Sequence, residues 1–195
     1  MNKGFTLIEI LISVALFTSV VLIISVFTMD ISSFSFVFGE NLIAQQELQQ
    51  SLSGMVREIR SMGPSNNGSY PIMSAGSNLI TFYTDTDDDE LFERVRYYVE
   101  GGIFKKAVLK PTGNPLVYDP AQEKISELVH NVTNGDNVFS YYAGTYTGTE
   151  PALPFPIDIP LVKTVKAELI VDQNPLVPPV PQSFSITAMI RNSQQ

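Results

Sequence analysis

The sequence contains no cysteine, which excludes disulfide scaffolds, thiol catalysis and cysteine-ligated zinc sites. It contains one histidine, His130, which leaves few options for acid–base or metal chemistry and is expected to be an ordinary surface or strand residue. Basic residues are also few, 12 against 20 acidic residues, for a formal net charge of −8. Because nucleic-acid binding depends on clustered Lys and Arg, direct binding to nucleic acid is not expected.

Charged residues make up only 16% of the 195-residue chain, and they are absent from one long segment near its start. Residues 10–29 are all uncharged and mostly Leu, Ile, Val or Phe. A helix of about 20 residues spans the hydrocarbon core of a bilayer, so this segment is predicted to be a transmembrane helix. A secretory signal peptide fits less well, because its apolar segment is usually about 7–15 residues long and ends in a small-residue cleavage pattern.

A short motif directly precedes and overlaps the apolar segment. Lys3 and Gly4 are followed by Phe5 and then by Thr-Leu-Ile-Glu, which ends at Glu9. This combination resembles the leader of type IV pilins and type II secretion pseudopilins. The resemblance implies that residues 1–4 are a leader peptide, that a prepilin peptidase cleaves between Gly4 and Phe5, and that the new amine of Phe5 is methylated. It implies a structural protein and not an enzyme.

Glu9 requires its own explanation, because an ionised carboxylate at the edge of hydrocarbon is costly unless it is paired. A newly exposed amino terminus is the nearest available cation, and within one helix it has to sit at the helix start. Pairing with the amine of a neighbouring subunit is the interpretation that gives Glu9 a function, and by resemblance the family uses it in filament assembly. Thr6 is expected to add a hydrogen bond to this assembly contact. The alternative is a simple membrane anchor with a chance Glu.

No proline occurs before Pro64, so the N-terminal third of the chain can form one long helix. After the apolar segment, apolar residues recur every three or four positions and predict an amphipathic helix that packs against the chain's own domain: Leu48, Leu52, Met55, Ile59 and Met62. Gly63 and Pro64 predict the end of the helix, with Gly63 as its C-cap. Serines and aromatics in residues 30–39 predict a weaker stretch where the helix can bend.

Beyond residue 66, β-branched and aromatic runs alternate with turn residues. They predict strands at residues 78–84, 93–99, 103–109, 125–132, 137–142, 161–171 and 183–191, with Gly101 and Gly102 forming a hairpin turn. The order of elements predicts an α+β fold, an antiparallel sheet packed on the amphipathic half of the helix, which is also the pilin arrangement. The predicted segments are 1–4 (leader), 5–30 (transmembrane and assembly half), 31–62 (amphipathic half) and 63–195 (extracytoplasmic β-rich domain).

The densest charge is an acidic turn, residues 85–90, which holds five acids and is followed by Glu93. Alternating carboxylates can converge on one hard cation, as in the first half of an EF-hand loop, so one interpretation of these residues is a calcium site. Its expected ligands are Asp85, Asp87, Asp89, the Leu91 carbonyl and Glu93. The match is incomplete, since Glu90 replaces the glycine and Arg96 replaces the bidentate acid. The alternative is a solvated acidic turn between two strands.

The resemblance implies a minor pilin or pseudopilin subunit of the PilW or J-type kind. A membrane half without the proline that major pilins often carry favours this class. Such a subunit is stored in the inner membrane with its C-terminal domain outside the cytoplasm, and it joins a pilus or pseudopilus at or near the tip. The implied partners are other pilin or pseudopilin subunits, the prepilin peptidase, the inner-membrane assembly platform and membrane lipid. The alternative is a single-pass extracytoplasmic ligand-binding or sensor domain without a filament role. Lys3 on the cytoplasmic side of the membrane agrees with the positive-inside rule and places the domain outside the cytoplasm in both interpretations.

Overall fold

A computed structural model describes residues 6–172 and 181–191, with only the backbone described at residues 29–45 and 47. The chain divides into two compact units, Met1–Gln45 and Gln46–Gln195. The helices and strands are α1 (Leu7–Arg60), β1 (Ile72–Ala75), β2 (Leu79–Thr84), β3 (Glu93–Glu100), β4 (Ile103–Leu109), β5 (Lys124–Val129), β6 (Phe139–Tyr142), β7 (Thr164–Val171) and β8 (Gln182–Met189), with short 3-10 helices at Pro120–Gln122 and Ile159–Leu161. The predicted α+β class is confirmed.

The apolar part of α1 lies in the first unit. Leu7–Thr28, 22 residues, is long and apolar enough to cross a membrane, and none of it is buried within the chain. Its hydroxyl side chains donate to the carbonyl four residues earlier at 2.7–2.8 Å: Ser13, Thr18, Ser19, Ser25 and Thr28. Because hydrocarbon offers no hydrogen bonds, this internal pairing suits a segment in lipid. The backbone is helical through residues 30–39 as well.

The last turns of α1 belong to the second unit, where the predicted apolar stripe is buried. Leu48, Leu52, Met55, Ile59 and Met62 all lie in one hydrophobic core with residues from both sheets, so packing of the stripe against the chain's own domain is confirmed. Glu58 reinforces the contact. Its carboxylate accepts hydrogen bonds from the Tyr97 hydroxyl at 2.8 Å and the Lys106 ammonium at 2.5 Å.

The helix ends at Arg60, and the predicted role of Gly63 as its C-cap is wrong. Gly63 lacks the positive φ that a left-handed cap requires, and its N–H donates to the Tyr83 carbonyl at 3.0 Å. A Cβ at this position would lie 2.6 Å from Cε1 of Phe92. Close approach of the Phe92 ring, and not helix capping, therefore accounts for glycine here.

The strands form two antiparallel sheets, where the sequence predicted one. The first has the order β1-β2-β3-β4-β5 and the second β6-β7-β8. Hydrogen bonds join them: the Tyr141 hydroxyl donates to the carbonyls of Gly76 and Leu79 at 2.9 and 3.1 Å. Strand β1 was not predicted, since it has four residues and a register irregularity between Ile72 and Ser74. Strand β7 begins later than predicted because Ile159–Leu161 is a 3-10 helix.

The hairpin β3–β4 matches its prediction. Glu100 pairs with Ile103, and the two residues between them have φ of +59° and +74°. Two consecutive positive φ angles define the type I′ turn that suits the twist of paired strands, and glycine adopts them without a steric penalty. The turn fixes the register of β3 against β4, which places the ends of these strands beside the acidic turn.

Candidate functional site

The first candidate site is the start of α1. Gly4 and Phe5 lie outside the described residues, so cleavage and methylation there stay predictions. Thr6 and Glu9 are brought together: the Thr6 N–H and hydroxyl both donate to Oε2 of Glu9 at 2.9 Å, and the Glu9 N–H donates to the Thr6 hydroxyl at 3.4 Å. This reciprocal pattern is a capping box, which satisfies backbone donors that a helix start leaves unpaired.

The capping box also orients the Glu9 carboxylate. Both hydrogen bonds use Oε2, so Oε1 has no partner among the residues that the structure describes. The side chains of Thr6 and Glu9 are exposed in the isolated chain. The arrangement therefore presents one anionic oxygen outward at the first turn of the apolar helix.

The second candidate site is the acidic turn, which connects β2 to β3. One carboxylate oxygen from each of Asp85, Asp87 and Asp89 lies within 4.8 Å of the other two. Lys110 reaches the cluster from the end of β4: its ammonium donates to Oδ2 of Asp87 at 2.8 Å and to Oδ2 of Asp89. These hydrogen bonds raise the pKa of Lys110, and the bond from Lys110 lowers the pKa of Asp89. Three of the four predicted carboxylates thus converge, and a lysine that was not predicted binds two of them.

Backbone hydrogen bonds build this turn. Asp85 accepts from the N–H groups of Asp89 and Glu90 at 3.2 and 2.9 Å, and Asp89 accepts from the Leu91 N–H at 3.0 Å. Asp88 and Glu90 have φ of +59° and +68°. Glu90 occupies the position of the EF-hand glycine, and it adopts the left-handed conformation for which glycine is used there. The turn therefore keeps this backbone feature without the glycine.

Glu93 differs from the other acids because its side chain is only 2% exposed. Its Oε2 accepts from the N–H and the hydroxyl of Thr86, both at 2.8 Å. Its Oε1 is buried without a hydrogen-bond partner and lies 3.9 Å from the Lys110 ammonium. That distance is too long for a hydrogen bond, so Glu93 and Lys110 form a long ion pair.

Two further residues of the predicted calcium site, Leu91 and Arg96, have different positions relative to the cluster. Leu91 lies at the end of the turn and contacts the cluster through its N–H, so the role of its carbonyl as a ligand stays a prediction. Arg96 is directed elsewhere and forms an ion pair with Glu123 at 2.6 Å. Sequence reasoning missed Lys110, although a signal was available: counting along the β3–β4 hairpin from its two glycines places residue 110 opposite Glu93.

His130 lies on the surface, where the sequence analysis expected an ordinary surface or strand residue. Its side chain is exposed, and Nε2 lies 3.7 Å from Glu127, a neighbour on the surface.

Comparison with known proteins bears on the first site. The prokaryotic N-terminal methylation motif matches residues 1–25. No curated protein matches the chain. The matched segment includes the predicted cleavage position, Glu9, and most of the apolar helix Leu7–Thr28. The motif and this helix together support a type IV pilin-like protein of prepilin type, anchored in the membrane as a pilin or pseudopilin subunit.

Proposed function

We propose that the protein is a structural minor subunit of a type IV pilus or type II secretion pseudopilus. It is stored in the inner membrane with its C-terminal unit outside the cytoplasm, and it joins the filament through α1, at or near the tip. One observation carries the proposal: a methylation motif lies at the start of an apolar helix, and no part of Leu7–Thr28 is buried within the single chain. An apolar surface of this length needs lipid before assembly and neighbouring subunits after it.

The Glu9 carboxylate provides the specific contact in this proposal. After cleavage between Gly4 and Phe5, the amine of a neighbouring subunit meets Oε1, while Oε2 remains held by Thr6. Because a buried ion pair is favourable only when its geometry is good, the capping box contributes by fixing the carboxylate before the neighbour arrives. This contact sets the axial position of one subunit against the next.

The finer assignment, a minor subunit of the PilW or J-type kind, draws support from α1. The membrane half of α1 has no proline, unlike that of many major pilins. The prepilin peptidase and the inner-membrane assembly platform follow as partners from the proposed processing and storage. Secretion, adhesion, motility and DNA uptake all remain compatible with such a subunit.

Filament fractionation tests the proposal. Cells that produce the protein at its native level are sheared, and the released filaments are separated from membranes and probed for the subunit. We expect the processed protein in both fractions, with the filament pool lost when the assembly platform is deleted. A subunit that stays entirely in the membrane while the filaments form normally would favour the sensor alternative.

A further inference from the structure

We propose that Asn67 is a site of spontaneous deamidation, in which its side-chain amide is lost as ammonia and aspartate or isoaspartate is formed. This inference does not depend on filament assembly. It begins from the sequence, which contains two Asn-Gly pairs, Asn67-Gly68 and Asn134-Gly135. Asparagine is a thermolabile residue, and a following glycine leaves the next backbone nitrogen unhindered because it has no side chain. Both pairs share this local chemistry, so the structure around them decides which one reacts.

The reaction needs only the chain and water. The Gly68 nitrogen loses its proton to hydroxide and attacks Cγ of Asn67, which forms a C–N bond and places negative charge on Oδ1. The bond from Cγ to Nδ2 then breaks, and Nδ2 takes up a proton and leaves as ammonia. Water opens the resulting succinimide ring at either carbonyl, which gives aspartate or isoaspartate. Because the reacting atoms belong to neighbouring residues, proximity favours the attack.

Two serine hydroxyls are directed at the atom where this charge develops. The Ser65 hydroxyl donates to Oδ1 of Asn67 at 2.5 Å, and the Ser69 hydroxyl donates to the same atom at 3.1 Å. Donors that are already in place at a developing oxyanion lower the barrier to acyl transfer. The turn holds them there, because the Ser65 hydroxyl also accepts from the Ser69 N–H at 2.8 Å. Asn67 therefore has the donors that its intermediate requires before the reaction begins.

The leaving group and the nucleophile are both accessible. Nδ2 of Asn67 has no hydrogen-bond partner among the residues that the structure describes, and both Asn67 and Gly68 are exposed. The Gly68 N–H donates to the Ser65 carbonyl at 2.9 Å, and this one hydrogen bond has to open before the nitrogen reacts. No atom lies within 4 Å of the place where a Cβ of residue 68 would be, so opening disturbs no packed side chain.

Asn134 provides the contrast within the same chain. Its Nδ2 donates to the carbonyls of Asn137 and Glu168 at 3.2 and 2.7 Å, and its Oδ1 accepts from the Ile170 N–H at 2.8 Å. Attack on its Cγ requires the side chain to leave these three hydrogen bonds, two of which attach it to β7. Breaking hydrogen bonds at a partly buried position is costly, so the barrier is higher here. The structure therefore protects Asn134 and leaves Asn67 reactive.

Deamidation is expected to loosen the contact between this turn and the acidic turn. Asn66 joins the two turns, because its Nδ2 donates to the Glu90 carbonyl at 3.3 Å and its Oδ1 accepts from the Phe92 N–H at 2.7 Å. Isoaspartate at position 67 adds a methylene to the main chain beside Asn66, and the new carboxylate repels the acids of residues 85–90. Hydrogen exchange of the Phe92 N–H is therefore expected to speed up after deamidation, and an unchanged exchange rate would overturn this consequence.

Ser69→Ala tests the role of the hydroxyls. Ser69 is chosen because its hydroxyl has no other partner among the described residues, whereas the hydroxyl of Ser65 also closes the turn. The variant is expected to deamidate at Asn67 between about twofold and tenfold more slowly, the range that one hydrogen bond supplies. Ser53→Ala, at an exposed position of α1, is the matched control and is expected to keep the original rate. An unchanged or faster rate in Ser69→Ala would overturn the role of the hydroxyls.

Peptide mass spectrometry of the full-length chain in detergent tests the site itself. The protein is incubated at mildly alkaline pH, which favours loss of the backbone proton, and is then digested with trypsin. A sample digested without incubation gives the background. Cleavage after Arg60 and Arg94, and after Lys124 and Lys163, puts the two Asn-Gly pairs in different peptides.

The folded chain is expected to lose the amide of Asn67 at least about tenfold faster than that of Asn134, since three hydrogen bonds hold the second side chain. In urea the two sites are expected to react at similar rates, because only the shared Asn-Gly sequence then matters. Equal rates in the folded chain, or an intact Asn67 when Asn134 reacts, would overturn the proposal.

Discussion

Replacing Tyr97 with phenylalanine tests the contact that holds the end of α1 on the first sheet. The Tyr97 ring is buried, and its hydroxyl donates to Oε2 of Glu58 at 2.8 Å. Burial and the nearby Glu58 carboxylate raise the pKa of Tyr97, so the hydroxyl stays protonated and remains a donor at any ordinary pH. The ring itself keeps its packing in the variant, so the change isolates one hydrogen bond.

The expected loss follows from the acceptor. A hydrogen bond to a charged group contributes about 1.5–3 kcal/mol, and Glu58 is partly exposed, so we expect a loss near 1.5 kcal/mol in the free energy of unfolding. Urea denaturation of the detergent-solubilised chain, followed by near-ultraviolet circular dichroism of its tyrosines, measures it. Tyr98→Phe is the control, because the Tyr98 hydroxyl has no hydrogen bond among the described residues, and it is expected to cost under about 0.5 kcal/mol.

A double-mutant cycle then separates this contact from general disturbance of the core. Combining Tyr97→Phe with Glu58→Gln gives an interaction energy between the two side chains, which is expected to be about 1 kcal/mol or more for groups in direct contact. Equal losses in Tyr97→Phe and Tyr98→Phe, or additive effects in the cycle, would refute the argument that this hydrogen bond fixes the helix end to the sheet.

Three further predictions follow from other parts of the chain. The Glu9→Gln variant is expected to insert into the membrane and to be cleaved normally. It is expected to be depleted from sheared filaments, because the amine of the neighbouring subunit loses its anionic partner. Normal recovery of the variant in filaments would count against the pairing of Glu9 with that amine. Gly101→Ala is expected to cost about 1 kcal/mol through its φ of +59° alone, since no atom lies within 4 Å of the added Cβ, and denaturation measures the cost. Hydrogen bonds from Thr147 lower the pKa of Glu150 to about 2. Their contribution to the stability of the folded chain is therefore complete above 4.5, the ordinary pKa of this side chain, and is lost as the pH falls towards 2. An NMR titration of Glu150 with a midpoint near 4.5 would contradict this prediction.

Local signals in the sequence predicted the elements that local chemistry determines. The apolar segment and the absence of proline predicted α1, and the two consecutive glycines predicted the turn between β3 and β4. Strand β1 gave too short a pattern to recognise, and the separation into two sheets depends on pairings between distant residues. Gly63 was assigned to capping because Phe92, which explains it, is distant in sequence.

The candidate sites show the same difference between local contacts, which the sequence predicted, and distant contacts, which it did not. Alternation predicted that Asp85, Asp87 and Asp89 lie together, since the spacing is local. Lys110 comes from another strand and was missed, and so was the burial of Glu93, which results from the packing of the whole unit. At the start of α1, Thr6 was predicted to add a hydrogen bond to the assembly contact of Glu9; that contact stays a prediction, while the capping box of Thr6 and Glu9 is a local contact within one turn.

The N-terminal mass of the membrane-extracted protein tests the central claim most directly. The measurement compares cells with and without the prepilin peptidase. In cells with the peptidase, the account predicts a chain that begins at methylated Phe5 and has lost residues 1–4. In cells without it, the account predicts an intact leader. An intact Met1 terminus in the presence of the peptidase would contradict the pilin assignment and leave a simple membrane anchor.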